Sequence, residues 1–389
     1  PDAESVALAW RFPGLASKDF EVLQVVSQVL YNGKAGLIDL DLNQQQKVLN
    51  SYGYPMGLAD YSAFILGGLP KQGQTLEEVK DLLLNEIKKL RAGEFDEKML
   101  QANINNFKLY ELQSMESNEG RADIFVNSFI NGTNWEDEVT AIDRMAKLTK
   151  EDIVAFADKY LKEDNYAVVY KKQGKDPNEK KMTKPEITPI VSNRDVASPF
   201  LTSIQENAVK PIEPVFLDFK KDMNQLTAKS DIPVLYKQNT TNDLFQLIYV
   251  FDMGNNNDKA LGTAFDYLEY LGTSDMTPEE LKSEFYRLAC TFYVSPGNER
   301  TYVVLSGLNE NMPAAMQLFE KLLADAQVNK EAYDNLVGDI LKARADAKLN
   351  QGQNFSRLMN YAMYGPKSPA TNLLTEAELA SMNPQELVD

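Results

Sequence analysis

Val6, Leu8, Trp10 and Phe12 alternate with mostly small or polar neighbours, the period-two pattern of a half-buried strand, and Pro13-Gly14 ends it. Val22, Leu23, Val25, Val26, Val29 and Leu30 then recur at helical spacing, with Asn32-Gly33 as the stop. After a polar stretch, Tyr61 to Leu69 reads as a second strand. Thr75 and Glu78 have the spacing of a capping box, and Leu76, Val79, Leu83, Ile87 and Leu90 mark the face of a helix closed by Gly93. A further helix starts near Asp96, and others follow to Leu161, the last opened by Thr149 and Asp152. Tyr166 to Tyr170 reads as a terminal strand.

From Lys171 to about Leu226 the periodicity fades and prolines accumulate at 177, 185, 189, 199, 211 and 214. Such a stretch is too long for a loop inside a compact domain, so residues 173–226 are expected to be an interdomain linker between domains at 1–172 and 227–389. Beyond it, Ile232 to Tyr236, Phe245 to Phe251 and Tyr302 to Ser306 read as strands. Asp258 to Leu271, Pro313 to Ala326 and Lys330 to about Asp346 read as helices.

The two halves are alike. Phe12 and Gly14 fall against Phe251 and Gly254 at offsets of 239 and 240, and Leu90, Phe95 and Gly132 fall against Leu323, Val328 and Gly365 at 233. Leu148-Thr149 falls against Met382-Asn383 at 234. A nearly constant offset through dissimilar segments is what a duplicated domain leaves. The expected fold is α+β: two related domains, each an antiparallel-rich sheet with helices on one face. The match near residue 383 also implies that the second domain lacks its final helix and strand, and Pro1-Asp2-Ala3, without an initiator Met, reads as a cut or processed start.

Composition removes several kinds of chemistry. The chain of 389 residues has 57 acidic and 40 basic side chains, a net charge of −17, with 43% apolar residues. It reads as a folded protein with no nucleic-acid surface and no membrane-spanning segment. Histidine is absent, so no imidazole can act as a base or hold a metal in this chain. Cys290 is the only cysteine, read as a small buried residue of a helix over Leu281 to Cys290. Asp252 to Asp258 is rich in oxygen donors but lacks the spacing of a calcium loop and reads as a strand-to-helix turn. Asn131, Asn239 and Asn354 head glycosylation triplets, which arise often by chance.

In the order of its elements, its duplication and its linker, nearly the whole chain resembles the insulinase/pitrilysin family of zinc metallopeptidases, in particular their second domain, interhalf connection and third domain. That family carries His-x-x-Glu-His on a helix, two imidazoles on one face holding zinc and the Glu activating water. The corresponding segment here is Phe265-Asp266-Tyr267-Leu268-Glu269-Tyr270-Leu271-Gly272-Thr273. Asp266 stands at the first His position, Glu269 keeps the Glu and Tyr270 replaces the second His. The family's third ligand is an acidic residue on a later helix, where Asp339 and Asp346 lie without clean alignment.

The resemblance therefore implies a degenerate motif with no metal, cofactor or catalytic residue in this chain and zinc in the parent protein. It implies a non-catalytic part of a zinc endopeptidase, with a catalytic domain before Pro1. The implied partners are the remaining domains of the parent or a homologous subunit, together with a peptide substrate. A structural or peptide-binding subunit of an inactive parent is the alternative, and an enzyme using Asp266 and Glu269 as a carboxylate pair is a second one. Nothing in the sequence sets the compartment; the family's extracytoplasmic members make a periplasmic or envelope site one expectation.

Overall fold

A computed structural model describes residues 3–175, 180, 182–190, 192–368 and 371–389. Pro177 and the Pro1-Asp2 start lie outside the described residues. The chain divides into two compact units, one made of residues 1–174 with 241–389 and one of residues 175–240.

In the first part of the larger unit, β1 (Ser5–Pro13) leads into α1 (Lys18–Leu30), capped by the Ser17 hydroxyl, which accepts from Phe20 N at 3.2 Å. The strands β2 (Asn50–Met56) and β3 (Tyr61–Leu69) follow, then α2 (Leu76–Arg91), α3 (Lys98–Ser114) and α4 (Asn118–Asn131). Two short helices, α5 (Trp135–Val139) and α6 (Ala141–Met145), precede α7 (Lys150–Tyr160) and the strand β4 (Ala167–Lys171). The sheet runs β2-β3-β1-β4, all antiparallel. Val6, Leu8, Trp10 and Phe12 point into the core as their alternation predicts, with α1, α2 and α7 packed about them.

Both expected capping boxes form. Thr75 N donates to Glu78 Oε2 at 2.7 Å while Glu78 N donates to Thr75 Oγ1 at 3.2 Å, and Thr149 and Asp152 repeat the arrangement. The strand β2 lies inside the stretch read only as polar. Its Asn50, Ser51, Gly53 and Pro55 have low strand propensity, but β2 is an edge strand, where a proline costs no ladder bond. A Cβ at Gly53 would fall 2.6 Å from Leu66 Cδ2, so a larger residue there would have to displace that side chain.

The smaller unit contains α8 (Pro199–Gln205) and the antiparallel pair β5 (Asn224–Thr227) and β6 (Pro233–Tyr236), joined through Ser230 and Asp231, both at positive φ.

The larger unit resumes with β7 (Leu244–Phe251), α9 (Leu261–Leu268), α10 (Pro278–Arg287), β8 (Cys290–Pro296) and β9 (Thr301–Leu308). The helices α11 (Met312–Asp325), α12 (Lys330–Ala347), α13 (Gln351–Tyr364) and α14 (Glu376–Ser381) follow. Here the sheet order is β7-β9-β8, antiparallel, which repeats β1-β3-β2. The register repeats too. Phe12 faces Ser62 as Phe251 faces Thr301, and Ser51 faces Gly68 as Cys290 faces Gly307, each residue 239 positions from its counterpart. The fold is therefore α+β with two related halves, as expected. Among the described residues β7 has one strand neighbour, whereas β1 has two.

Two sequence expectations need correction. Cys290 opens β8 rather than ending a helix, because α10 stops at Arg287 and Ala289, at φ 47°, turns the chain into the strand. The helix expected over Asp258 to Leu271 is confined to Leu261–Leu268, since Asn255 to Asp258 form a turn in which Gly254 N donates to Asn257 Oδ1 at 3.0 Å. Among the described residues no helix is long and apolar enough to cross a membrane.

Candidate functional site

The Asp266, Glu269 and Tyr270 positions straddle the end of α9. Asp266 lies in the last turn of α9, and Glu269 and Tyr270 follow its end. There the backbone tightens: Tyr270 N donates to Tyr267 O at 2.9 Å and Leu271 N to Leu268 O at 3.2 Å, both to the carbonyl three residues back. The chain is then drawn away by a bridge in which Gln327 N donates to Gly272 O at 2.9 Å. A Cβ on Gly272 would meet Met276 O at 2.4 Å, so only glycine fits this turn. Tyr267 anchors the helix end, its buried hydroxyl donating to Asn329 O and accepting from Asn329 N, both at 2.8 Å.

Several of the charges around the motif are already paired. Lys282 Nζ lies 4.0 Å from Glu269 and 5.9 Å from the centre of the Tyr270 ring. Burial draws the Lys282 ammonium below its usual range, while Glu269, Asp39 and Glu279 act the other way. Asp266 is exposed, yet its carboxyl is held above the usual range, first by desolvation and then by Glu269. The Tyr270 phenol is pushed up to about 12 by burial, reinforced by Glu269, Asp339 and Asp266. Asp339 itself is bound 3.3 Å from Lys71 of the first half, whose Nζ also donates to Gln46 O at 2.7 Å. Asp346 is paired with Lys342 along α12.

These residues do not fit the zinc that the resemblance implies for an active domain. A neutral phenol is a poor zinc ligand, and Glu269 and Asp339 already face ammonium groups. Among the described residues no three Cys, Asp or Glu side chains gather to hold a metal. The Asp252 to Asp258 segment is consumed by its own turn and by Arg300, whose Nε donates to Asp252 Oδ1 at 2.8 Å.

Beside the motif lies a cavity of about 210 Å³. Phe265 of α9, Leu281 and Phe285 of α10 and Phe292 of β8 form apolar walls, and Asp266, Glu269 and Lys282 are its charged groups from the second half. The first half closes it with Gly33 and Lys34. That turn is held from below by Asp39, which accepts from the N–H groups of Asn32 at 2.8 Å, Gly33 at 3.1 Å and Gly36 at 3.0 Å. Burial raises the Asp39 carboxyl to about 6 although these bonds favour its anion. Asn32-Gly33 was legible in the sequence as a helix stop; that the next residue lines a cavity some 230 residues away along the chain was not. Cys290, at the start of β8, is buried, and burial pushes its thiol up to about 11.

Comparison with known proteins places the first part of the chain. Residues 1–107 match the family model described as the peptidase M16 inactive domain. No curated protein matches the sequence. Among solved structures, a protease from Helicobacter pylori is 23% identical over 44% of this chain and 42% of that one, with a TM-score of 0.41. The periplasmic protease PqqL from Escherichia coli is 13% identical, covering 100% of this chain and 46% of that one, with a TM-score of 0.38. The ferredoxin protease FusC, solved in complex with Arabidopsis ferredoxin, is 10% identical over 99% of this chain and 46% of its own, with a TM-score of 0.43. The chain thus spans less than half the length of each of these proteins. Residues 1–107 are thus similar to the inactive domain of the M16 peptidases, in line with the resemblance of the sequence to the insulinase/pitrilysin zinc metallopeptidases.

Proposed function

We propose that this chain is a non-catalytic part of an insulinase-like zinc-dependent endopeptidase, forming part of the wall of a peptide-enclosing chamber and supporting proteolysis by a catalytic domain outside the chain. The observation that carries this reading is the match of residues 1–107 to the M16 inactive domain. The condition of the motif in the second half supports it, since Asp266 and Tyr270 stand where imidazoles are needed and Lys282 and Lys71 face the nearby carboxylates. On this reading zinc belongs to the parent protein, the partners are its remaining domains or a homologous subunit, and the substrate is a peptide.

The test has two arms. The purified chain, incubated with zinc and a quenched fluorescent peptide, is expected to show no chelator-sensitive cleavage; such cleavage would refute the non-catalytic role. The complete coding sequence is expected to contain His-x-x-Glu-His outside this chain. Its absence there and in any co-purifying subunit would shift the reading to a structural or peptide-binding subunit without peptidase activity.

A further inference from the structure

The cavity beside the degenerate motif contains an ammonium without an ion-pair partner among the described residues. Lys282 has Glu269 beside it and Lys71, nearby, has Asp339, but the Lys34 ammonium has no hydrogen-bond acceptor and no ion-pair partner among the described residues. A half-buried ammonium in that condition loses part of its hydration without a partner, and a site that retains one is poised for an anion. Burial lowers Lys34 to about 8, which still leaves it mainly protonated at neutral pH.

We propose that this cavity binds a small monocarboxylate with an apolar body about the size of a phenyl ring, the carboxylate against Lys34 and the body among Phe265, Phe285 and Phe292. The size follows from the volume of about 210 Å³, since an apolar cavity of about 150 Å³ already holds a benzene ring. The apolar walls with a few polar groups set among them are the usual make-up of a small-molecule site. The single charge follows from Asp266 and Glu269, which stand on the same cavity and repel a second negative charge, so a dicarboxylate or a phosphate dianion is disfavoured. The ligand can be a free acid or the C-terminal residue of a peptide, which share this chemistry. The inference does not rest on the proposed role in proteolysis and holds or fails separately from it.

Calorimetric titration of the full chain tests it with four probes: 3-phenylpropionate, its amide, and a tetrapeptide ending in Phe with a free or an amidated C-terminus. At least one acid is expected to bind about tenfold or more tighter than its amide, the worth of a charge-assisted hydrogen bond. Binding of 3-phenylpropionate assigns a free acid, and binding of the peptide acid alone assigns a C-terminal residue. Lys34→Met is expected to abolish the preference for acid over amide and Lys34→Arg to keep it. Equal binding of acid and amide, no binding of any probe, or a preference that survives in Lys34→Met while the variant melts like the parent chain overturns the proposal. So does loss of the preference in Lys34→Arg with folding intact.

Discussion

The Tyr286 hydroxyl on α10 donates a 2.8 Å hydrogen bond to Asn103 Oδ1 on α3, joining the two halves of the larger unit through a pair of side chains that are both essentially inaccessible to solvent. Asn106 Nδ2, one turn along α3, donates to Tyr286 O at 2.9 Å, so side chain and backbone of the same residue are held by the same helix. Asn103 Nδ2 meets no acceptor among the described residues, which leaves the hydroxyl as the one bond its side chain makes there.

Removing that hydroxyl strands a buried acceptor. Tyr286→Phe is expected to lower the stability of the larger unit by about 1 to 3 kcal/mol, the cost of an unsatisfied buried polar group. A urea midpoint unchanged by the substitution would show that the two halves do not depend on this contact.

Asp39 gives a pH dependence of defined sign. Its folded carboxyl, raised to about 6 from a usual 3.8, binds a proton more tightly than in the unfolded chain. The stability this contributes is therefore complete below about pH 4 and is lost as pH rises through 6, by about 2 to 3 kcal/mol. Asp39→Asn keeps an acceptor for the turn but cannot ionise. Measured from pH 4 to 7, the wild type is expected to lose stability relative to Asp39→Asn; parallel curves would mean that Asp39 titrates normally.

The repeated register makes Leu66 and Leu305 counterparts, on β3 and β9, and both are fully buried. Each change to Ala is expected to cost about 2 to 5 kcal/mol. Because α3 and α10 tie the halves together, both substitutions are expected to shift one unfolding transition in denaturant. Two resolved transitions, each moved by one substitution only, would show that the halves unfold independently.

Restoring the missing imidazoles tests why the motif is degenerate. The double substitution Asp266→His with Tyr270→His is expected to leave the chain without stoichiometric zinc by metal analysis after dialysis. The α9 helix ends at Leu268, and Lys282 and Lys71 remain beside Glu269 and Asp339. One zinc per chain in that variant would show that residue identity alone removed the site.

Features that depend on near neighbours were legible in the sequence. The alternation of Val6, Leu8, Trp10 and Phe12 and the boxes at Thr75 and Thr149 are decided by a few adjacent residues, and they appear as read. The duplication was legible because offsets survive in sequence whatever the packing, and the shared strand order repeats it in space. The edge strand β2 was hidden, because its pairing with β3 outweighs the poor propensity of its residues. The end of α9 was hidden as well, since the bridge from Gly272 to Gln327 and the Tyr267 to Asn329 bonds come from residues more than fifty positions away. The same holds for the candidate site. Asp266, Glu269 and Tyr270 were found by their spacing, but Lys34 joins Asp266 and Glu269 only when the turn at Gly33 and Lys34 of the first half meets α10 and β8 of the second around one cavity. Burial and charge pairing across such distances are set by the folded chain as a whole, and no local pattern carries them.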